Sequence, residues 1–171
     1  MPNKHSRTTH ENLPLNALID GLNRRYCHVI DDGEFERWPG FFVKDGTYRI
    51  TTRWNHSNGM QAGLIFCENR AMMEDRVSAL RIANVYEPHT YRHLVDPPLV
   101  INQSDGEASV QTSFVVYRIM ETGSPEVFCT GKYLDKLVEM DKDLLFKERL
   151  VVCDSEPVSY THLTLPTILL V

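Results

Sequence analysis

Three stretches constrain this chain most: Glu107 to Met120, Glu126 to Met140 and Leu144 to Asp154. Each alternates apolar and polar residues, each exceeds ten residues, and the turn signals SDG, GSP and DKD set them off. Turns that short join neighbours antiparallel, so the three read as a meander. Strands usually run to about five or six residues, and twist accumulates along every one. Strands of this length are therefore expected to curl into a warped sheet. Ahead of them, Thr90 to Gln103 reads as a further strand interrupted at Pro97-Pro98.

A curled sheet needs something to wrap around, and the first third of the chain supplies it. From Asn12, a residue suited to capping, with Pro14 in the first turn, apolar residues recur at Leu15, Leu18, Ile19, Leu22, Tyr26, Val29 and Ile30. This helical stripe ends at Asp31, Asp32 and Gly33. A short second helix carries Phe35 and Trp38 before Phe41, Phe42 and an Asp45-Gly46 turn. The period then changes to two: Thr47 to Trp54 sets Tyr48, Ile50, Thr52 and Trp54 against Thr47, Arg49, Thr51 and Arg53. After the polar loop NHSNG, GLIFC (63–67) reads as a short strand. Asn69 then caps a helix whose inward face is Met73, Val77, Leu80 and Ala83 or Asn84. Helices first and a sheet afterwards give an α+β domain. Met72, Met73, Trp38, Phe41 and Phe42 are read as core.

The 171 residues carry a net charge of −5, with no basic run, so nucleic acid is not an expected partner. No segment has the length of about 20 apolar residues that a spanning helix needs. The polar start lacks the apolar centre of a secretory signal, and the chain is expected to be cytoplasmic. Residues 1–12 are expected to be disordered and 13–157 to form one domain. The end is different: Val158 to Thr167 reads VSYTHLTLPT, which resembles the translation of a transposon adapter used in preparing sequencing libraries. Residues 158–171 are accordingly treated as non-native read-through.

The order helix, helix, strand, strand, helix, long curved meander resembles the nuclear transport factor two-like cone fold. Three stretches, "YCHVIDDGEFERWPGFFVKDGTYRIT", "MMEDRVSALRIANVYEPHTYRHLV" and "EVFCTGKYLDKLVEMDKDLLFKERLVVCDSE", resemble the small (beta) subunit of Rieske-type aromatic-ring-hydroxylating dioxygenases. The resemblance runs from about Leu18 to Glu156, and its local wording is closest to members acting on aromatic acids such as terephthalate. It implies a non-catalytic, structural small subunit in a hetero-oligomer, commonly of three large and three small subunits. The large subunit would carry a Rieske 2Fe-2S cluster and a mononuclear non-haem iron, and a reductase would supply electrons from a nicotinamide cofactor.

The residues also carry candidate chemistry of their own. A Rieske cluster needs two Cys and two His, and Cys27-His28 is the one adjacent pair among four scattered cysteines. His89, His93 and Asp96 have the composition of a non-haem iron site. On a strand, however, His89 and His93 lie about 13 Å apart at about 3.3 Å per residue, too far to share an ion. No metal or cofactor site is therefore expected in this chain. The rival reading is a stand-alone isomerase, dehydratase or cyclase with an Asp base in the hollow of the cone. It would use Asp31 or Asp32, with Tyr48 and His93; the set Asp32, Tyr48 and His93 is the catalytic alternative. Arg76, Arg81, Arg92 and Arg149 stand among apolar residues, where an unpaired guanidinium is costly. They are expected to meet carboxylates such as Glu74, Asp75 or Asp154, or a partner subunit. Together with His93 they are the interface candidates, Arg92 and His93 first.

Overall fold

The computed structural model describes residues 14–154, apart from 62, 84–88, 122 and 142. The expectations for residues 1–12, for the Asn12 cap, for Asn84 and the Ala83 side chain, and for the tail 158–171 lie outside the described residues.

Helix α1, Leu15–Asp31, is followed by a 3₁₀ segment, Phe35–Phe41. Strand β1, Phe42–Thr52, leads to a short helix α2, Arg53–Ser57, then β2, Ile65–Cys67, and α3, Arg70–Ala83. The rest is sheet: β3, His89–Val95; β4, Leu99–Ser104; β5, Glu107–Met120; β6, Pro125–Met140; and β7, Asp143–Cys153. The strand order is β2-β1-β7-β6-β5-β3. All described pairs are antiparallel except β1 with β7, which run parallel, with everything from α2 to β6 connecting them. Strands β3 and β4 share one edge of β5: β4 pairs with Glu107 to Gln111 and β3 with Phe114 to Met120.

The curl has visible causes. Register shifts interrupt the ladders between Phe42 and Thr47, Val100 and Asn102, Val116 and Tyr117, and Lys136 and Leu137. Each bulge bends its strand and increases its twist. The bulge in β1 holds Asp45-Gly46, so the pair read as a turn is an irregularity within one strand. Space is tight at Gly46, where a Cβ would lie 3.0 Å from the carbonyl oxygens of Phe146 and Val43.

Inward residues of the sheet, among them Tyr48, Ile50, Val110, Phe114, Tyr133, Leu137 and Val151, form one core with Ile19, Leu22, Tyr26 and Ile30 of α1 and Trp38. The cone expected from the sequence is thus present, with α1 inside the wrap. Asn69 caps α3, accepting a hydrogen bond from the Met72 amide at 3.0 Å. One core assignment fails: Met72 is 37% exposed while its neighbour Met73 is buried. The strand read as Thr47 to Trp54 also ends early, and Trp54 is 64% exposed because the alternation stops at Thr52. There the Thr52 hydroxyl accepts from the Asn55 amide and starts α2.

Candidate functional site

The interior of the cone is occupied by a charged group. Arg149 of β7 is wholly buried. Its guanidinium carbon sits 4.2, 4.1 and 4.0 Å from the ring centroids of Tyr26, Tyr133 and Phe146. Nε and Nη2 donate to the two carboxylate oxygens of Asp135 at 2.9 and 2.8 Å, and Nη2 also donates to Asn23 Oδ1 at 2.6 Å. Asn23 in turn donates through Nδ2 to Thr112 Oγ1 at 3.3 Å. The cluster therefore ties α1 to β5, β6 and β7. Burial works against the guanidinium charge, but the carboxylate and hydrogen bonds of Asp135 outweigh it and hold the Arg149 pKa above its ordinary value. Burial also raises the Asp135 carboxyl and the Tyr26 and Tyr133 hydroxyls, with Arg149 opposing it in each case.

A second buried pair closes the sheet edge. Asp31, the last residue of α1, receives the His93 backbone N–H at 3.0 Å on Oδ2 and contacts His93 Nδ1 at 2.5 Å through Oδ1. His93 lies on β3, the edge strand, and its amide points away from β5. Asp31 thus covers a strand amide that would otherwise lack a partner. From the other side of the strand, Arg92 Nη1 reaches to 3.7 Å from Asp31 Oδ2.

The residues of the catalytic alternative differ in their surroundings. Asp32 is an exposed helix cap, and Asp31 is the buried carboxylate. Tyr48 is fully buried, its ring packed edge-on at 5.0 Å from Trp38 and 6.0 Å from Phe42. His93 is bound to Asp31. Among the interface candidates, Arg149 and His93 have buried side chains, which puts both in internal networks and off the chain's own surface. Arg81 donates to both carboxylate oxygens of Glu36, at 2.7 and 3.0 Å, and to the Gly33 carbonyl at 2.7 Å. Arg92 is half exposed, and Arg76 is half-buried on α3. The acids actually used, Asp135, Glu36 and Asp31, are not the expected Glu74, Asp75 or Asp154; Asp154 instead pairs with Arg53 and Thr130. Asn23 and Asp135 went unnoticed in the sequence. Asp135 carried a signal, since it shares the inward parity of Tyr133 and Leu137.

Cys27 faces inward and His28 outward, and burial pushes the Cys27 thiol up to about 12. Among the described residues no group of three or more His, Cys, Asp or Glu could hold a metal ion. No described helix is long and apolar enough to cross a membrane.

The outer face of the sheet is patterned in rows. One hydrogen-bonded row runs across five strand pairings as Leu99, Gln111, Leu134, Leu150, Arg49 and Phe66. Leu99 and Phe66 are 58% and 42% exposed, the inner four are half-buried, and the Arg49 guanidinium stacks on Phe66 at 4.8 Å. Leu94 and Ile101 extend the exposed apolar area along the β3 and β4 edge. The adjoining row, Asn102, Ser109, Lys136, Glu148 and Thr47, is polar and lines an open groove of about 390 Å³.

Comparison with known proteins gives a consistent result. Residues 25–159 match the family described as "Ring hydroxylating beta subunit". The chain is 44% identical over 148 residues to the terephthalate 1,2-dioxygenase terminal oxygenase component subunit beta 1 of Comamonas sp., covering 86% of this chain and 96% of that one. It is 37% identical over 137 residues to the anthranilate 1,2-dioxygenase small subunit of Burkholderia cepacia, covering 80% and 85%. Among solved structures, a beta subunit assigned to an aromatic-ring-hydroxylating dioxygenase of Novosphingobium aromaticivorans superposes with a TM-score of 0.78 at 31% identity, over 82% of this chain and 90% of that one.

Proposed function

The chain belongs to the ring-hydroxylating beta subunit family, the small, non-catalytic part of aromatic-ring dioxygenases, and from that premise we propose that it serves as the docking scaffold of an aromatic-acid dioxygenase. One observation carries this reading: on the outer sheet face the cross-strand row from Leu99 to Phe66 leaves Leu99, Leu134, Leu150 and Phe66 partly in water, with Gln111 and Arg49 set among them. Exposed apolar side chains mixed with a few polar ones are the make-up of a subunit contact. The large subunit covers this face. Arg92, beside Leu94 on the outward side of β3, is the first arginine offered to it, with Arg76 and Arg81 of α3 next.

The complex has three large and three small subunits, lies in the cytoplasm and takes electrons through a reductase. Its 2Fe-2S Rieske cluster and mononuclear iron belong to the large subunit and supply the redox and oxygen chemistry. The terephthalate and anthranilate named for the two relatives support an aromatic carboxylic acid as substrate. Co-expression with the large subunit tests the reading. The two are expected to elute as one complex that oxidises terephthalate or benzoate in preference to naphthalene. Leu150→Glu on the outer row should weaken association at least about tenfold, or 1.4 kcal/mol, while the small subunit keeps its own melting curve. A chain that stays apart from the large subunit would overturn it.

A further inference from the structure

We propose that the chamber around the Arg149 head group is a guanidinium-binding site that the chain fills with its own residue, and that it accepts a free guanidinium cation once that side chain is removed. The inference goes beyond the scaffold reading and does not rest on it.

The chamber has the parts of a receptor for a flat, delocalised cation. Three aromatic rings from α1, β6 and β7 stand 4.0 to 4.2 Å from the guanidinium carbon. One carboxylate, Asp135, presents both oxygens to the fork, and the Asn23 carbonyl oxygen takes a further N–H. On its remaining sides the cation is met by the three rings. Rings recognise cations by their negative faces, and a two-oxygen fork matches guanidinium geometry but not ammonium. A plain ion pair would need only charge. Here planarity is selected as well.

Tyr26, Tyr133 and Asn23 are also held without help from Arg149. Trp38 donates to the Tyr26 hydroxyl at 3.1 Å, Tyr133 stacks on Phe114 at 4.4 Å, and Asn23 is braced by Thr112. Removing the arginine therefore leaves the rings and Asn23 anchored by contacts of their own.

The test is chemical rescue of Arg149→Ala in the full chain. Its thermal midpoint should fall well below that of the parent and climb back saturably with millimolar guanidinium or methylguanidinium, as a ligand bound by the folded state requires. Urea, which is flat but uncharged, ammonium, which is charged but not flat, and sodium chloride at equal strength should give no recovery. Asp135→Asn in the same background should abolish it. Arg149→Lys should remain far less stable than the parent. No saturable rescue, equal rescue by ammonium or salt, or a lysine variant as stable as the parent would each overturn the proposal. If Arg149→Ala cannot be isolated folded, refolding it from urea decides: a higher yield with methylguanidinium than with sodium chloride is expected, and equal yields sink the idea.

Discussion

At the scale of single residues, the molecule depends on two buried carboxylates. Asp31→Ala would leave the His93 amide and imidazole without their acceptor, a loss of about 1–3 kcal/mol per unsatisfied group. Asp31→Asn keeps an oxygen for the amide and should lose less; urea unfolding of the two variants distinguishes them. Asp135→Ala should cost about 3–5 kcal/mol, because it strands a buried guanidinium, whereas replacing both partners together with apolar residues should cost far less. Only part of this was legible in the sequence. Arg149 could be singled out because it sits among apolar neighbours, but its partner lies fourteen positions away on the facing strand. Parity tells which face a residue takes and not what it meets there. Likewise Asp31 and Asp32 look equivalent until the helix phase turns one inward and the other to solvent.

At the scale of elements, strand length was the most readable property. Strand β5 spans the expected Glu107 to Met120, while β6 and β7 each begin one residue earlier than expected. Their junction is tight at Gly131, where a Cβ would fall 2.2 Å from the Val152 carbonyl oxygen and 3.0 Å from Phe114. Gly131→Ala must push the two strands apart and should cost at least the about 1–3 kcal/mol typical of overpacking, seen as a lower urea midpoint. The 3₁₀ segment is clasped to α3 by Glu36 and Arg81, and the Arg81 hydrogen bonds draw the Glu36 carboxyl down from 4.5 to about 2. A depressed carboxyl stabilises the fold above its unfolded pKa and loses that effect as pH falls through the folded value. The clasp should therefore weaken between about pH 4.5 and about pH 2. Arg81→Ala should flatten that part of the acid stability curve. Because both side chains are about half exposed, added salt should shrink the difference.

At the scale of the whole molecule, the inside is closed by Arg149 and its rings, and the outside carries the row from Leu99 to Phe66. Charge placed on the row should act on assembly and leave the fold intact, while changes in the chamber should act on the fold first. Leu134→Glu is accordingly expected to leave the melting curve of the isolated chain within about 0.5 kcal/mol of the parent, as surface changes usually do, yet to reduce recovery of the complex with the large subunit. The sequence by itself determined the helix-then-meander order, the curl and the family, because these follow from local periodicity, strand length and contiguous wording. Only the tertiary structure decided that β1 runs parallel beside β7, that Asp45-Gly46 is a bulge, which acid meets each arginine, and which residues line up across the outer face. Those are choices of register between segments far apart in the chain. A shift of one residue reverses every side chain of a strand, and nothing local to either segment fixes that shift until both are packed against the same helix.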